Sequence, residues 1–502
     1  MLDLPCRADG RVFNMAVPLV DRHVAEGRGS RPALRLDSGD VSYAGLQAMV
    51  NRAGNALRGA GLAPEQRVAL LLPDGLEFIA AFIGAMKIGA VPVPLNTAAR
   101  QADVQLMLAD SRAQALIADA SLLGAGSYDV PRVLTVGGNG GRSFEAAMAA
   151  AADQLEPYPT GVDEPCYWLY SSGTTGRPKG VVHLHGDMLA CVSPYARQVV
   201  RITPEDSTFS VARLFFSYGL VNSLFLPLLA GATAILTPHR PELAHVLDII
   251  RRHRPTLFFS VPTSFVQLCA AAPEGTLASV RLAISAGEPL PEPVYRSWTE
   301  STGVELLDGL GSTEVGYIYC SNLPGHVRPG SSGRMIGDHQ ARIVDENGFD
   351  VPAGESGELL VKAASTALHY WNQRDRSKQT FVGEWLRTGD RYVRDADGWL
   401  WYQGRTTDVF KVSGQWVSPL EIESCLLSHP SVVECAVVGA ADGAGLLKPK
   451  AYVVPRGPVT SEELQVWVKE RLQPHKYPRW VELVAELPKT ASGKVQRFRL
   501  RD

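Results

Sequence analysis

The sequence predicts an α/β protein with a large N-terminal lobe of mixed and parallel sheets flanked by helices, followed by a small α+β domain. Two observations support this prediction. Through about the first four fifths of the 502 residues, short apolar runs alternate with segments of helical periodicity, which is typical of parallel sheets with helices on their faces. After residue 404 the chain becomes turn-rich and then alternates compactly between helix and strand patterns. We therefore predict domains at residues 1–404 and 405–502.

One strand and helix unit of the large lobe is especially regular. Apolar residues recur at the spacing of one helical face at Leu243, Val246, Leu247 and Ile250. Pro255 then ends the helix, and LFFSV follows as a short buried strand. The segments VALLLPDG with LEFIAAFIGAMKIGA, and RLAISAGEPL, predict further units of this kind.

The C-terminal part begins with the polar, turn-rich segment GRTTDVFKVSGQW. Helical patterns follow in PLEIESCLLSHP and SEELQVWVKERL, and strand patterns lie between them in VVECAVVGA and AYVVP. About a hundred residues are enough for a separate domain with its own core.

Composition and charge exclude several classes of partner. With 45% hydrophobic and 20% charged residues and a net charge of −3, the chain has no bulk attraction for nucleic acid or an anionic membrane. The seven cysteines are scattered without a CxxC pair, which favours a reducing compartment. The start MLDLPCRADG lacks the pattern of a signal peptide, and the apolar run LVNSLFLPLLAGATAIL is interrupted by polar residues and proline. We expect a cytoplasmic protein that binds neither nucleic acid nor membrane.

The segment YSSGTTGRPKG, residues 170–180, has almost nothing to bury. It is not a Walker A loop, because Gly180 stands where Ser or Thr would follow the lysine. It still offers the elements of an anion-binding loop, namely close backbone approach, hydroxyl groups and one positive charge. These come from Ser171, Ser172, Gly173, Thr174, Thr175, Gly176 and Lys179. The alternative is a solvated linker.

Three further motifs carry polar groups suited to a nucleotide. In LLDGLGSTEVGYI a tight turn is followed by the Thr313 hydroxyl and the Glu314 carboxylate, which can hold Mg²⁺ beside phosphates. In the next motif Asp390 can accept both hydroxyls of a ribose, and Arg405 can add a contact. In LPKTASGKVQRF, Lys494 lies in a Ser/Gly setting that suits a mobile lysine. The alternatives are a plain turn with a surface acid and a solvated surface lysine.

The motifs YSSGTTGRPKG, GLGSTE, TGD, GRTTDVFKVSG and PKTASGK occur in the order and spacing of the adenylate-forming superfamily. That superfamily includes acyl-CoA synthetases, luciferases and the adenylation domains of peptide synthetases. The resemblance runs from about residue 13 to the end. RLFFSYGL, KVSGQWVSPLEIE and the C-terminal segment look most like benzoate and hydroxybenzoate CoA ligases. The resemblance implies an αβαβα-like large lobe and a mobile small domain.

The resemblance also implies roles for single residues. The Ser/Thr/Gly loop would hold the β- and γ-phosphates of ATP while pyrophosphate departs. Thr313 would touch the α-phosphate and Glu314 would bind Mg²⁺. The adenine pocket would be lined by Gly287, Glu288, Asp308 and Gly309. Asp390 and Arg405 would hold the ribose.

The implied reaction has two steps, formation of an acyl-AMP with loss of pyrophosphate and transfer of the acyl group to CoA. In the first step a carboxylate attacks the α-phosphorus, so positive charge is needed from Mg²⁺ and from Lys494. In the second, relatives rotate the small domain so that KVSGQW replaces the lysine and Gly414 lets the backbone approach pantetheine. The chain departs from the family at the hinge, where Thr407 replaces the usual Asp or Lys.

The acid is inferred from the segment FFSYGL. Relatives that activate amino acids place Asp there to pair with the ammonium group, whereas this chain has Phe216, which disfavours an amino acid. A flat aromatic acid would suit the aromatic and glycine residues Phe215, Tyr218, Gly219, Gly309 and Gly311. These residues are otherwise core. Benzoate ligases often carry His at the position of Tyr317, whose phenol would bond a ring substituent or narrow the pocket.

We therefore predict an ATP-dependent aryl-CoA ligase acting on benzoate or a substituted benzoate. One alternative is a freestanding adenylation enzyme that loads an aryl acid onto a carrier protein. A second is a non-catalytic nucleotide-binding protein, which the set of charged motif residues disfavours. A homodimer is a further expectation. His183 and His185 form an HxH pair without a third ligand nearby, which does not favour a metal site.

Overall fold

The structure is a computed structural model. It describes residues 12–124, 128–138, 142–171, 178–239, 242–406, 408–412, 415–443, 445–489 and 495–501. The α-helices of these ranges are α1 (Arg22–Ala25), α2 (Tyr43–Gly59), α3 (Leu76–Lys87), α4 (Gln101–Ser111), α5 (Phe144–Ala150), α6 (Asp187–Tyr195), α7 (Ser217–Leu220), α8 (Leu226–Ala230), α9 (Leu243–His253), α10 (Pro262–Ala271), α11 (Glu292–Thr302), α12 (Arg374–Thr380), α13 (Pro419–Leu427) and α14 (Ser461–Lys469). Short π-helical turns lie at Val17–Asp21, Ala196–Val200 and Val221–Phe225, and 3₁₀ turns at Ala120–Leu122 and Arg497–Arg499.

The strands of the described ranges are mostly short. Up to residue 260 they are β1 (Pro32–Leu36), β2 (Gly39–Ser42), β3 (Arg67–Leu71), β4 (Val91–Pro94), β5 (Ala115–Asp119), β6 (Val133–Val136), β7 (Arg142–Ser143), β8 (Pro165–Ser171), β9 (Lys179–Leu184), β10 (Ser207–Ser210), β11 (Thr233–Ile235) and β12 (Leu257–Ser260). They continue as β13 (Leu282–Ala286), β14 (Leu306–Gly311), β15 (Ile318–Ser321), β16 (Arg334–Met335), β17 (Gln340–Val344), β18 (Ser356–Lys362), β19 (His369–Tyr370), β20 (Phe381–Val382), β21 (Trp385–Arg394), β22 (Leu400–Arg405), β23 (Phe410–Val412), β24 (Gln415–Val417), β25 (Val432–Ala441), β26 (Leu447–Pro455) and β27 (Trp480–Leu483).

Two large sheets organise the first part of the chain. The nine-stranded sheet has the order β16-β15-β14-β13-β12-β10-β11-β1-β2 and is parallel from β14 to β1. The five-stranded sheet, β4-β3-β5-β6-β7, is parallel throughout. Parallel neighbours need crossover connections, which the helices of the alternating pattern supply.

The apolar side chains divide these sheets and helices into layers. One cluster joins both sheets through α2, α3 and α6, with Leu70 and Phe259 contributed by the two sheets. A second cluster packs α9, α10 and α11 on the other face of the nine-stranded sheet, around Trp298. A third packs α4 and the β8–β9 hairpin on the other face of the five-stranded sheet. The predicted αβαβα-like arrangement is confirmed.

Sheets that are mainly antiparallel complete the molecule. β19, β9 and β8 form a three-stranded sheet, and β17, β18, β21, β20 and β22 form a five-stranded one. Within the described ranges, the strands after residue 409 pair only with one another, as the β23–β24 hairpin and as the sheet β25-β26-β27, in which β26 and β27 are parallel. Apolar residues of that part, such as Val437 and Leu464, pack in a cluster of their own. The domain boundary at residues 404 and 405 stays a prediction.

The periodic patterns correspond to observed elements. The helical face at residues 243–250 lies in α9, whose side chains at Val246 and Ile250 are buried, and LFFS forms β12. The interrupted apolar run after residue 219 is buried in the core, as predicted, except that Ala230 is half-buried. In the described part of the chain, no helix has the length and apolar character needed to cross a membrane.

Candidate active site

Lys179 and Glu314 meet although they are far apart in sequence. Lys179 begins β9, and Glu314 lies in the turn after β14. The Lys179 Nζ atom lies 3.3 Å from Glu314 Oε1. Tyr370 reaches both groups from β19, because β19 pairs with β9 in an antiparallel register. Its hydroxyl donates to Glu314 Oε1 at 2.7 Å and accepts from Lys179 Nζ at 3.2 Å.

Lys179, Glu314 and Tyr370 form a cluster whose contacts favour ionisation of Glu314 and oppose ionisation of Tyr370. Burial opposes ionisation of Glu314, but the Lys179 ammonium and the Tyr370 hydrogen bond outweigh it and lower the pKa of the carboxyl group. Burial and the neighbouring carboxylate raise the pKa of the Tyr370 phenol. The ammonium also lies 4.5 Å from the centroid of the Tyr370 ring, at cation–π distance. The site therefore presents an ionised carboxylate beside the Lys179 side chain.

His183 connects β9 to the turn that carries Thr313 and Glu314. Its Nε2 atom lies 2.7 Å from the carbonyl oxygen of Thr313, and its Nδ1 atom lies 3.1 Å from Asp187 Oδ2. The ring is completely buried. One nitrogen is thus used in holding the backbone of the acidic turn, and the other is bonded to Asp187 on α6. Among the described residues, no group of three or more His, Cys, Asp or Glu side chains could hold a metal ion.

The proposed adenine residues lie where two parallel strands end side by side. β13 and β14 are neighbours, with Ala286 opposite Gly309. Gly287 follows β13 with a φ of +89°, a conformation that favours glycine. Asp308 is buried on β14, and the backbone N–H of Leu290 approaches its Oδ2 at 3.5 Å.

The carboxyl group of Asp308 is incompletely satisfied. Its Oδ1 atom is buried and has no hydrogen-bond partner within the described ranges. Burial raises its pKa to about 7, against a small opposing effect of the backbone N–H groups. Strand β14 thus offers a carboxyl oxygen for a ligand, and Glu288 lies in the loop that follows the neighbouring strand β13.

Three glycines predicted to line the acid site are explained by close packing. A Cβ atom at Gly311 would lie 2.7 Å from the Tyr317 carbonyl oxygen, and one at Gly309 would lie 2.9 Å from the Ile318 side chain. At Gly219 it would overlap the carbonyl oxygens of the preceding loop. Contacts with a substrate stay a prediction for all three.

The two residues predicted at the ribose face each other across β21 and β22. Asp390 and Arg405 are register partners, and Arg405 Nε lies 3.1 Å from Asp390 Oδ1. Arg405 also donates to the Thr388 carbonyl oxygen at 3.0 Å. Asp390 raises the pKa of Arg405, so the guanidinium stays charged. About half of the Arg405 side chain remains exposed and available to a ligand.

Two of the aromatic residues predicted at the acid site, Tyr218 and Tyr317, are brought together. The rings of Tyr218 and Tyr317 are nearly parallel, with centroids 6.4 Å apart. Phe215 packs on Phe216 with centroids 4.6 Å apart. The Tyr218 hydroxyl donates to the Ile284 carbonyl oxygen at 2.9 Å.

Asp74 and Arg213 hold the segment that carries these aromatics, and sequence reasoning missed both. Asp74 lies in the turn before α3, and its carboxylate accepts from the Leu214 backbone N–H at 3.2 Å. Arg213 Nε lies 3.4 Å from Asp74 Oδ2, and its guanidinium donates to carbonyl oxygens beyond β11. Burial raises the pKa of Asp74 to about 6, although Arg213 opposes this. The sequence signal that could have pointed to Asp74 is the polar PDG turn that follows an apolar strand.

Several predicted site residues lie outside the described residues. They are Ser172, Gly173, Thr174, Thr175 and Gly176 of the loop, Gly414 and Lys494, together with Thr407 at the hinge. Ser171 and Lys179 are described and face each other at the ends of β8 and β9. Tyr370 and Asn222, which contact predicted residues, were not found from sequence.

Two family models match the chain. The model of AMP-binding enzymes matches residues 21–371, and the model of the C-terminal domain of AMP-binding enzymes matches residues 421–494. Together they span the two parts of the molecule that carry the motifs.

Known proteins of similar sequence and structure agree with these models. The chain is 43% identical to a benzoate–CoA ligase of Thauera aromatica, covering 97% of this chain and 96% of that protein. It is also 43% identical to a 4-hydroxybenzoate–CoA/benzoate–CoA ligase of Rhodopseudomonas palustris, over 98% of this chain and 94% of that one. Among solved structures, a benzoate CoA ligase from Burkholderia xenovorans LB400 matches with a TM-score of 0.91 and 39% identity, covering 98% and 100% of the two chains. The anthranilate CoA ligase AuaEII in complex with anthranoyl-AMP matches with a TM-score of 0.93 and 37% identity, covering 99% and 97%.

Proposed function

Since the chain belongs to the family of AMP-binding enzymes, we propose that its site activates an aromatic carboxylic acid with ATP and passes it to CoA. The chain is an AMP-forming acid–thiol ligase. The acid is converted to an acyl-AMP with release of pyrophosphate, and the thiol of CoA then displaces AMP to give the aryl-CoA. Benzoate and substituted benzoates are the proposed acids, as in the relatives of highest identity reported above.

The single observation that best supports this function is the Lys179–Glu314–Tyr370 cluster. It holds one negative and one positive group side by side, and Lys179 comes two positions after the segment 172–177 in the sequence. A triphosphate needs both, because its oxygens require cationic partners and its metal requires an anionic ligand. Lys179 would bind the phosphate oxygens, and Thr313 would contact the α-phosphate.

The carboxylate of Glu314 fits a magnesium ion. It is an ionised oxygen donor whose pKa is lowered by Lys179 and Tyr370, although burial opposes this. Mg²⁺ is commonly held by one or two carboxylates together with substrate phosphates, so one acid is enough. When bound, the ion would neutralise charge on the phosphates. Tyr370 would keep the carboxylate oriented through its hydrogen bond.

The remaining nucleotide would lie across the strand ends. The unpaired Asp308 oxygen and the Gly287–Glu288 loop are proposed at the adenine, and the Asp390–Arg405 pair at the ribose. Arg405 would then exchange part of its contact with Asp390 for the sugar hydroxyls. The acid would enter beside Phe215 and Tyr218, with its carboxylate toward the α-phosphate.

Lys494 and Gly414 belong to the proposed small domain and serve the two steps in turn. Lys494 would bridge the carboxylate and the nucleotide during adenylation, since a lysine is a compact charge on a flexible stem. Gly414 would contact pantetheine during thioester formation. A phosphopantetheinylated carrier protein is the alternative acceptor.

Isotope exchange and mass spectrometry test the proposal together. Purified protein with ATP, Mg²⁺ and benzoate should catalyse exchange of labelled pyrophosphate into ATP, and adding CoA should give benzoyl-CoA and AMP. A panel of benzoates, cinnamates and short fatty acids sets the acid class, and preferred turnover of fatty acids would contradict an aryl acid. Acylation of the carrier but not of free CoA would favour the alternative acceptor. Absence of exchange with every acid would contradict catalysis altogether.

Two expectations accompany this proposal. We propose a homodimer, which light scattering on the same preparation tests. We also propose a cytoplasmic location, based on the seven scattered cysteines. Fractionation of cells that express the native chain tests that location.

A further inference from the structure

The hydroxyl groups of Ser217, Tyr218 and Tyr317 at the proposed acid site are already used by the protein itself. We propose that the site takes a benzoate without a hydrogen-bonding ring substituent, and that the Tyr317–Asn222 pair contributes to this preference. The inference rests on the proposed function and narrows its substrate. The sequence leaves two roles open for Tyr317, bonding a ring substituent and narrowing the pocket. The inference favours the second role.

Tyr317 cannot easily offer its hydroxyl to a substrate. Its side chain is 2% exposed, and its hydroxyl donates a short hydrogen bond to Asn222 Oδ1. Asn222 is itself completely buried, and its Nδ2 donates to Ser210 Oγ at 3.4 Å. Breaking this chain of contacts would leave a buried amide oxygen without its partner, which is costly.

The neighbouring hydroxyls are committed in the same way. Tyr218 donates to the Ile284 carbonyl oxygen at 2.9 Å and lies 3.4 Å from that of Ser260. Ser217 donates to the carbonyl oxygen of Gly316. The segment that carries the predicted acid-binding residues therefore directs its polar atoms into the backbone of β12, β13 and the acidic turn.

The parts of Tyr218 and Tyr317 that are not used in hydrogen bonds are their aromatic rings. Tyr218 and Tyr317 lie 24° from parallel, and Tyr195 packs edge-on against Tyr317 with centroids 5.0 Å apart. Aromatic faces favour a flat apolar ring. A hydroxyl or amino group on that ring would lose its water and would find the hydroxyls of Ser217, Tyr218 and Tyr317 occupied. Such a pocket rejects an added hydroxyl by up to about 100-fold.

Substituents of equal size but different polarity separate the effect of polarity on turnover from the effect of steric fit. The ratio kcat/KM for CoA-dependent turnover is measured for benzoate and for the methyl, hydroxy and amino benzoates at each ring position. We expect benzoate to exceed each hydroxybenzoate by about 10-fold to 100-fold, and each methylbenzoate to exceed the hydroxybenzoate of the same position. A hydroxy or amino acid that equals or exceeds its methyl counterpart would overturn the inference. Turnover of no acid would instead contradict the proposed function.

Two variants test the role of the Tyr317–Asn222 pair. Tyr317→Phe frees Asn222 Oδ1 as an acceptor, so the hydroxy-to-methyl ratio of kcat/KM should rise about 10-fold at one ring position. A ratio measured within one preparation does not depend on the fraction of protein that is folded. Tyr452→Phe, which removes a phenol hydroxyl bonded to Leu500 in the C-terminal part, should leave the ratio unchanged. An unchanged or lower ratio in Tyr317→Phe would exclude this pair as a determinant of specificity.

Discussion

The nucleotide half and the acid half of the proposed site treat polar groups in opposite ways. On the nucleotide side, Lys179, Glu314 and the Asp390–Arg405 pair hold opposite charges against each other without a ligand. On the acid side, Tyr218 and Tyr317 direct their hydroxyls into protein acceptors. Charges paired with each other can exchange partners for a charged ligand, whereas hydroxyls bonded to buried protein acceptors cannot do so cheaply.

The proposed site can in this way bind ATP through charged groups and select its aromatic acid through the shape of the pocket. Phosphates and a metal ion need charge, and the charge is supplied by residues from distant parts of the chain. An aromatic ring needs shape, and the shape is supplied by buried side chains whose positions depend on the core. Substitutions on the two sides should therefore have different kinetic effects.

The largest effect is expected on the nucleotide side, at Lys494. Lys494→Ala should lower acid-dependent exchange of pyrophosphate into ATP by at least about 1000-fold, because the charge that joins the acid and the nucleotide is lost. Formation of benzoyl-CoA from supplied benzoyl-AMP should stay within about 3-fold of the wild type, since that step does not use this lysine. Equal loss in both assays would show that the variant is damaged generally.

A smaller effect is expected at the acidic turn. Glu314→Gln keeps the side-chain shape but removes its charge, and should slow pyrophosphate exchange about 100-fold at fixed Mg²⁺. Tyr370→Phe removes one hydrogen bond to the same carboxylate and should slow it about 10-fold. Titration with Mg²⁺ should show a higher requirement in both variants. Variants that exchange at the wild-type rate would remove the cluster from the mechanism.

A substitution on the acid side should change the KM for the acid and leave the KM for ATP nearly unchanged. Asp74→Asn removes the charge that faces Arg213 behind the aromatic segment. We expect the KM for benzoate to rise about 10-fold, while the KM for ATP changes less than about 2-fold. Asp37→Asn, which breaks an exposed ion pair with Arg252, serves as the control and should change neither KM. A parallel rise of both KM values would contradict the separation of the two halves.

The smallest effect concerns the pH dependence of stability at Asp308. Burial raises the pKa of this carboxyl group from 3.8 to about 7. Between about pH 4 and pH 7 the unfolded chain loses this proton while the folded chain keeps it, so the free energy of unfolding falls with rising pH in that window. The Tm of the wild type minus that of Asp308→Asn should therefore fall by a few degrees from pH 4 to pH 7. A constant difference would show that Asp308 is ionised in the folded protein.

Much of the fold could be predicted because it depends on long periodic segments. The apolar face of α9 and the strand β12 follow directly from sequence spacing. The two-residue strand β19 could not be predicted, because two residues show no periodicity. Its residue Tyr370 was missed for the same reason, although it contacts two predicted site residues.

The residues of the candidate site could be predicted from the sequence, but the contacts between them could be predicted less well. Lys179 and Glu314 lie in short motifs, yet their pairing spans 135 positions and depends on the tertiary fold. Asp74 lies in a PDG turn, and a carboxylate in a turn usually faces solvent. Only the packing of the loop after β10 over that turn reveals its contact with Leu214.

The short strand β19 also limits how the large lobe can be shortened for study. It covers the outer edge of β9, whose other edge is occupied by β8. A fragment that stops before residue 369 would leave that edge with unpaired backbone groups, which is a template for aggregation. Expression trials of an isolated lobe should therefore extend past β22, and shorter fragments should be recovered mainly from inclusion bodies.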